Sequence, residues 1–340
     1  MSVTKISTPY LVFLGDVKNP LDAKTGRGLK DWRPDLCVGQ LRHSDCTVDL
    51  GLPEMTPAQA VAAGARSLVI GVAPSGGSMN PRWLDSLLEA LDAGLDLVSG
   101  MHTRLQDVDE LRVSAARNGR SLVDVRVPPT AIPLANGRRR TGKRMLMVGT
   151  DCCVGKKYSA LALHRGLEQR GANASFRATG QTGLLIAGQG IPIDAVVSDF
   201  LAGAAEMLSP DNQPDHWDVI EGQGSLFHPA YAAVTLGLIH GSQPDVMVLC
   251  HDALREEIDE FPGYPIPDLG YCMQRYLDAA RLTNPGVRFI GISVNTSGLE
   301  SADRSAYLEK VTAATGLPCV DPIIDGVETL LDELERESGS

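Results

Sequence analysis

Short apolar runs alternate with amphipathic stretches along the first part of the chain. Apolar runs typical of buried strands lie at 10–15, 67–72, 95–100 and 121–125. Stretches with the residue spacing of amphipathic helices lie between these runs, at 57–63, 82–93 and 108–118. This repeated order predicts a parallel sheet with helices on both faces. Such sheets bind ligands outside the carboxyl ends of their strands, which fall at 15–16, 73–77, 100–102 and 124–126.

A second pattern of the same kind begins at residue 144. Its predicted strands lie at 144–149, 173–177, 217–221, 244–250 and 288–293. Its predicted helices lie at 156–171, 199–207, 229–239, 268–282, 301–315 and 325–336. The two patterns together predict an α/β fold with two parallel sheets.

The segment between the two patterns is rich in proline, glycine and arginine. We interpret 131–143 as a linker that joins an N-terminal domain, 1–130, to a C-terminal domain, 144–340. The basic run 138–140 has the composition of a phosphate grip, but a solvated charge run is the commoner role of such residues. We therefore expect these arginines to be solvated.

Composition and charge narrow the class of protein. The chain has 340 residues, of which 43% are hydrophobic and 21% charged, as in soluble proteins of two domains. A net charge of -11 argues against a nucleic-acid surface. The sequence has no apolar run of about 18 residues and its first residues lack the apolar core of a signal peptide. We expect a cytoplasmic protein without membrane or nucleic-acid partners, in a homo-oligomer.

The stretch 144–158, RMLMVGTDCCVGKKY, predicts a phosphate-binding loop. An apolar strand leads into a turn that ends in Gly155 and Lys156, and a helical pattern follows, so backbone N–H groups and a helix N-terminus would meet an anion. The loop departs from the strict motif at two positions. Thr150 stands in place of the first glycine, and Lys157 stands where nucleotide hydrolases place a magnesium-binding hydroxyl.

A second cation in the loop disfavours a metal ion. We therefore expect no metal, and a phosphate or pyrophosphate that is held without being cleaved. The adjacent cysteines are interpreted as small loop residues, because neighbours in sequence chelate one ion poorly. The residues predicted to hold the phosphate are Gly149, Thr150, Asp151, Cys152, Cys153, Val154, Gly155, Lys156, Lys157 and Tyr158.

Polar residues follow the neighbouring strands. Glu221 precedes a glycine turn, at the position where phosphate-loop proteins place a carboxylate near the phosphate. The segment 178–183, ATGQTG, is interpreted as a polar loop that donates hydrogen bonds to an acyl oxygen or a ligand amide, or as a simple turn. His251 and Asp252 end another strand and suit proton transfer or substrate orientation. Asn295 falls where an adenine ring would be held.

The assembled motifs resemble two families. GTDCCVGKK and the later Glu-Gly-x-Gly are similar to the dethiobiotin synthetase type of phosphate-loop protein, over the C-terminal half alone. A resemblance that spans almost the whole chain is to the DgcN-type D-glutamate N-acetyltransferases. Its motifs are GQLR (39–42), GVAPSGG (71–77), SGMH (99–102), LVDVRVPP (122–129), GTDCCVGKKY (149–158), ATGQTGLLIAG (178–188), IDAVVSDFLAGAAE (193–206), EGQGSLFHPAY (221–231), YPIP (264–267) and NTSGL (295–299).

The second resemblance implies a Rossmann-like N-terminal domain and a C-terminal domain like those of P-loop NTPases. It also implies transfer of the acetyl group of acetyl-CoA to the amine of D-glutamate, in D-glutamate catabolism. Coenzyme A phosphates are gripped and never cleaved, which agrees with Lys157. The alternatives are a magnesium- and ATP-dependent ligase or kinase acting on a small carboxylate, and a nucleotide-binding module without catalysis.

Roles for individual residues follow from that reaction. A base must take a proton from the amine, and the candidates are Glu221, His251 and Asp252. Two substrate carboxylates need cations, for which planar guanidinium groups are suited. We predict Arg42 and Arg255 for the carboxylates, and hydrogen bonds to the substrate from Gln181, Thr182 and Gln223.

Overall fold

A computed structural model describes residues 6–73 and 77–336 of the chain. The predicted strand end at 73–77, with its motif GVAPSGG, therefore lies partly outside the described residues. The described chain divides into two compact units. Unit 1 comprises the described part of 1–129 together with 180–192, and unit 2 comprises 130–179 with the described part of 193–340. The predicted division at a linker, 131–143, stays a prediction.

Unit 1 contains one parallel sheet. Its strands are β1 (Tyr10–Gly15), β2 (Cys37–Arg42), β3 (Ser67–Ile70), β4 (Asp96–Ser99) and β5 (Leu122–Asp124), in the order β2-β1-β3-β4-β5. All its described pairings are parallel. Its helices are α1 (Lys24–Trp32), α2 (Pro57–Ala62), α3 (Leu84–Asp92), α4 (Asp109–Asn118) and α6 (Gln181–Ala187). Strand β1 is buried along its whole length, which explains its continuous apolar sequence.

Unit 2 contains a second parallel sheet. Its strands are β6 (Lys143–Gly149), β7 (Ala174–Arg177), β8 (Trp217–Ile220), β9 (Val246–Asp252), β10 (Arg288–Asn295) and β11 (Cys319–Val320), in the order β11-β10-β9-β6-β8-β7. Its helices are α5 (Lys156–Gln169), α7 (Leu201–Leu208), α8 (Ala232–Ser242), α9 (Leu269–Ala280), α10 (Ser301–Thr315) and α11 (Glu328–Arg336). The predicted α/β class and the parallel arrangement are confirmed.

Four of the elements named above were missed by the pattern: α1, β2, α6 and the two-residue strand β11. The predicted polar loop at 178–183 is wrong from Gln181 onward, because α6 begins there. This helix lies against α1 in unit 1, where the hydroxyls of Thr25 and Thr182 are 3.1 Å apart and Arg33 Nη1 donates to the carbonyl of Ile186 at 3.1 Å. A glycine- and threonine-containing segment thus becomes helical through contacts that its own sequence does not specify.

The basic run 138–140 is also different from expectation. Arg138 and Arg139 are exposed, as a solvated run requires, but Arg140 is buried. Its guanidinium donates to the carbonyl oxygens of Ser209 at 2.7 Å and Gly241 at 2.7 Å. Burial lowers the pKa of Arg140 to about 10, which leaves it charged at neutral pH. The expectation of a solvated arginine is therefore wrong at this position, where the chain is packed into unit 2.

Candidate active site

The strand order of unit 2 places the predicted phosphate loop between the strand ends that carry Glu221 and His251. Strand β6, which leads into the loop, lies between β8 and β9. The chain leaves β6 towards β8 and β7 on one side and reaches β9 and β10 on the other, so the order reverses beside β6. Ligands of open parallel sheets bind at such a reversal, outside the carboxyl ends of the strands. Gly149 pairs with Cys250 there, one residue before His251.

The phosphate loop is shaped by residues in the left-handed backbone region. Gly155 has φ of 101° and immediately precedes α5, and Cys153 has φ of 56°. Lys156 is the first residue of α5 and is 7% exposed, and its Nζ donates to the carbonyl of Asp151 at 2.6 Å. The lysine therefore folds back across its own loop. Its ammonium and the N-terminus of α5 give this turn the positive character that an anion site needs.

Glycine makes room for that lysine on the adjacent strand. A Cβ at Gly222 would lie 1.9 Å from the carbonyl oxygen of Met147 and 2.9 Å from Cδ of Lys156. A Cβ at Gly149 would lie 3.0 Å from Nζ of Lys156. Only a glycine allows β6, the turn after β8 and the lysine side chain to approach this closely.

Side chains from other segments fix the start of the loop. The hydroxyl of Tyr276, on α9, donates to the carbonyl of Gly149 at 2.6 Å. The hydroxyl of Ser225 donates to the carbonyl of Thr150 at 3.0 Å. Both donors are buried. The loop is thus held from outside as well as by its own lysine, which preorganises it for a ligand.

Asp151 has its carboxylate fully buried and paired. One oxygen accepts hydrogen bonds from Arg255 Nη1 and from the backbone N–H of Asp259, both at 2.8 Å. The side chain of Asp151 is 0% exposed and that of Arg255 is 17% exposed. The pair therefore links the loop to the segment after β9. The prediction that Arg255 meets a substrate carboxylate stays a prediction.

His251 is buried beside the loop. Its Nδ1 lies 2.9 Å from the hydroxyl of Thr150, and its ring is stacked on Tyr307 with centroids 6.4 Å apart. Burial lowers the pKa of His251 to about 4. The imidazole is consequently neutral at physiological pH and is a weak proton acceptor.

The neighbouring strand ends carry Asp252 and Asn295. Asp252 accepts a hydrogen bond from the Asn295 amide at 2.7 Å and another from the backbone N–H of Leu254 at 3.0 Å. The amide oxygen of Asn295 accepts the N–H of Ser297 at 3.2 Å. The amide of Asn295 is thus hydrogen-bonded within the protein. The predicted contact between Asn295 and an adenine ring stays a prediction.

Glu221 follows β8 and is buried. Its carboxylate accepts the backbone N–H of Thr179 at 2.9 Å, and its carbonyl accepts the Thr179 hydroxyl at 2.8 Å. The amide of Gln223 donates to the same hydroxyl at 3.1 Å. The carboxylate therefore fixes the segment after β7. The structure brings Glu221, Gln223, His251, Asp252 and the loop to one edge of the unit 2 sheet.

The remaining predicted substrate residues lie in unit 1. Gln181 and Thr182 begin α6, and Gln181 lies so close to Gly100 that a Cβ there would be 1.9 Å from its amide oxygen. Arg42 ends β2 and is paired with Glu54 at 2.5 Å and Asp49 at 3.3 Å. Their roles in substrate binding stay predictions.

One buried histidine near the loop was missed by the sequence reasoning. His228 is 3% exposed, and a ring nitrogen of it, a carboxylate oxygen of Asp151 and Sγ of Cys152 lie within 4.8 Å of one another. A histidine just before a proline, within the glycine-containing motif EGQGSLFHPAY, was the available signal. It gave no indication that this side chain faces the phosphate loop.

The fold and this edge define a class of protein: a two-unit α/β protein whose second unit carries a phosphate loop with a lysine in place of the metal-binding hydroxyl. Within the described residues, no helix combines the length and the apolarity needed to cross a bilayer.

Two family profiles match the chain. One is described as "Domain of unknown function (DUF1611_C) P-loop domain" and matches residues 133–331. The other is described as "Domain of unknown function (DUF1611_N) Rossmann-like domain" and matches residues 41–128. The chain belongs to the DUF1611 family. The predicted Rossmann-like and P-loop characters of its two parts are confirmed.

Similar proteins cover nearly the whole chain. A D-glutamate N-acetyltransferase from Tritonibacter scottomollicae is 50% identical over 329 residues, 97% of this chain and 99% of the relative. A D-glutamate N-acetyltransferase from Pseudoalteromonas sp is 44% identical over 330 residues, with the same coverage of 97% and 99%. The crystal structure of a DUF1611 family protein from Anabaena variabilis has a TM-score of 0.87 and 33% identity, and the match covers 97% of this chain and 99% of that one.

Proposed function

We propose that this chain is a D-glutamate N-acetyltransferase that moves the acetyl group of acetyl-CoA to the amino group of D-glutamate. The observation that carries the proposal is identity of 50% and 44% to two proteins with this activity in their names, over 97% of the chain. The role in D-glutamate catabolism, the cytoplasmic location and the homo-oligomeric state belong to the same proposal.

The phosphate loop is proposed to grip a phosphate group of coenzyme A. Lys156 crosses the loop, and Lys157 is partly buried with its Nζ 5.1 Å from the ring centroid of Tyr158. Two cations and a helix N-terminus favour a phosphate that is bound and not hydrolysed. A magnesium-dependent ligase of the dethiobiotin synthetase type needs a metal-binding hydroxyl at position 157, which this chain lacks.

The transfer itself needs a neutral amine. The amine nitrogen attacks the thioester carbonyl carbon, and the carbon–sulfur bond breaks. The amine loses one proton, and the sulfur of coenzyme A gains one proton to become the free thiol. Glu221, Asp252 and His251 are the proposed candidates for moving that proton. Burial lowers the pKa of His251 to about 4, so its imidazole is a weak base at neutral pH.

Release of free thiol from acetyl-CoA tests the proposal. Thiol should appear with D-glutamate, in chelator-treated buffer without ATP, and the product should be N-acetylglutamate by mass spectrometry. L-Glutamate run in parallel reports the stereochemical preference. Absence of thiol release with D-glutamate would refute the proposed function, and ATP hydrolysis stimulated by a carboxylate would support the ligase instead.

Coenzyme A binding tests the role of the loop separately. Lys156→Ala should weaken the binding of coenzyme A by roughly 10- to 150-fold in calorimetry, the size expected for a hydrogen bond to a charged group. Lys310→Ala removes an exposed lysine on α10 and is the matched control. Equal affinities for wild type and Lys156→Ala would place the coenzyme phosphates away from this loop.

A further inference from the structure

His228 is a polar side chain enclosed by aromatic rings beside the phosphate loop. It is 3% exposed, its ring centroid is 4.5 Å from that of Tyr231, and Phe261 meets it edge-on at 5.0 Å. Tyr231 and Phe261 leave the ring little freedom to turn. A buried imidazole held in this way has a fixed orientation towards whatever occupies the loop.

The segment that carries His228 is bonded to the loop itself. The Ser225 hydroxyl donates to the carbonyl of Thr150 at 3.0 Å, and it accepts the N–H of Phe227 at 3.2 Å. The N–H of His228 donates to the carbonyl of Ser225 at 3.2 Å. A ring nitrogen of His228 lies within 4.8 Å of both an oxygen of Asp151 and Sγ of Cys152. Hydrogen bonds therefore join the phosphate loop to the segment that carries His228.

The hydrogen bonds of the ring define its tautomer. Nδ1 of His228 accepts the backbone N–H of Ala230 at 3.1 Å, across the rigid Pro229. Since an acceptor nitrogen carries no hydrogen, the neutral ring holds its hydrogen on Nε2. Burial lowers the pKa of His228, so the ring is neutral at physiological pH. Within the described part of the chain, Nε2 has no hydrogen-bond partner.

This tautomer disagrees with a metal site at Asp151, Cys152 and His228. A histidine that binds a metal through one nitrogen ordinarily donates a hydrogen bond from the other. Here the other nitrogen accepts one instead. In addition, the carboxylate of Asp151 is neutralised by Arg255 and bonded to the N–H of Asp259. The three side chains therefore do not have the hydrogen-bond arrangement of a metal-ion site.

We propose that His228 is a ligand-binding residue of the phosphate loop, whose Nε2–H donates a hydrogen bond to a phosphate oxygen of coenzyme A. This rests on the proposed function, in which the loop holds that phosphate. The donor is neutral, its ring is packed against Tyr231 and Phe261, and one of its nitrogens lies within 4.8 Å of Asp151 in the loop. It supplies directional contact where a nucleotide hydrolase would use a metal ion.

Substitution at His228 tests the donor. His228→Leu should bind coenzyme A and inorganic pyrophosphate about 10- to 100-fold more weakly in calorimetry, as expected for a lost hydrogen bond to a charged group. His228→Gln should stay within about threefold of wild type, because a glutamine amide N–H reaches the position of Nε2. His164→Gln is the control, since His164 lies on α5 and pairs with Glu168 at 3.5 Å. Leu and Gln variants with wild-type affinity, or both equally weakened, would overturn the proposal.

The pH dependence separates a neutral donor from a cation. The charged groups that face His228 are Asp151, Lys156, Asp259 and Glu260. A neutral donor predicts that the ratio of wild-type to His228→Gln affinity is constant from pH 6 to 8. A ratio that falls as pH rises would show that a histidine cation binds the ligand, and would overturn the proposal.

Two further results are decisive. Stoichiometric Zn²⁺ binding to wild type that His228→Gln abolishes would replace the donor with a metal site. A wild type that binds neither coenzyme A nor pyrophosphate would refute the phosphate site and the role of His228 together. A wild type that binds coenzyme A but releases no thiol with D-glutamate would refute the proposed activity alone, and the His228 comparison would still decide this inference.

Discussion

The buried His251 should make unit 2 lose stability in mild acid. Burial lowers the pKa of His251 from its ordinary value of 6.5 to about 4. Between these values the unfolded chain binds a proton that the native state excludes. The stability contributed by a neutral His251 is therefore fully present above pH 6.5, and it is lost as pH falls towards 4. The ring has no room to gain a solvated charge, because it lies between the Thr150 hydroxyl and Tyr307.

The size of the loss follows from the pKa difference. A difference of about 2.5 at about 1.36 kcal/mol per pKa unit gives a limit of about 3.4 kcal/mol. About 2 kcal/mol of this is lost at about pH 5 and about 3 kcal/mol at about pH 4. Other groups titrate in the same range, so the prediction concerns the difference between wild type and a variant without the imidazole. His251→Asn is suitable, because its amide takes the position of Nδ1 beside Thr150.

Urea unfolding followed by tryptophan fluorescence measures that difference. The chain has three tryptophans, and Trp217 on β8 lies in unit 2 with His251. In a background with Trp32→Phe and Trp83→Phe, the signal reports unit 2 alone. As pH falls from 7.5 to 4.5, the unfolding free energy of wild type should fall relative to that of His251→Asn by about 2 kcal/mol or more. Parallel curves over that range would refute the depressed pKa and the reasoning from burial.

Two other predictions concern the frame of the phosphate loop. Arg255→Met should destabilise unit 2 by about 3 kcal/mol, because it leaves the buried Asp151 carboxylate without its cation, whereas the exposed Arg275→Met should cost less than about 1 kcal/mol. Asp151→Asn combined with Arg255→Met should be less destabilised than the sum of the single variants, and simple additivity in the Trp217 assay would contradict a direct pair. Gly222→Ala should weaken coenzyme A binding and cost about 1–3 kcal/mol through its clash with Met147, while Gly286→Ala, with its nearest contact at 3.7 Å, should be tolerated.

The parallel sheets and the phosphate loop could be predicted because their signals are local. Each predicted strand is a short apolar run, and the run before Gly149 is buried along most of β6 because it lies in the middle of a sheet. The turn that follows could be predicted from two adjacent residues, Gly155 and Lys156. Local sequence suffices wherever burial and backbone conformation are set by neighbours along the chain.

The features that could not be predicted depend on distant partners. Helix α6 is stabilised by a contact between Thr25 and Thr182, which are 157 residues apart. Arg140 is buried because carbonyl oxygens 69 and 101 residues away accept its hydrogen bonds. The segment that carries His228 is joined to the loop by the bond from Ser225 to Thr150, across 75 residues. No window of sequence contains both members of these pairs, so propensity alone cannot identify them.

The proposed anchor and the reacting thioester lie at opposite ends of one long ligand. In coenzyme A, a pantetheine arm of two amide units separates the pyrophosphate from the sulfur, so a loop that grips the pyrophosphate is beyond hydrogen-bond reach of the acetyl group. Contacts of Lys156 and His228 then contribute equally to the bound substrate and to the transition state. At saturating acetyl-CoA, Lys156→Ala and His228→Leu should keep a kcat near that of wild type while KM rises. A fall in kcat equal to the fall in kcat/KM would place the reacting carbonyl at the loop itself and would contradict a loop that only anchors the phosphate end of the coenzyme.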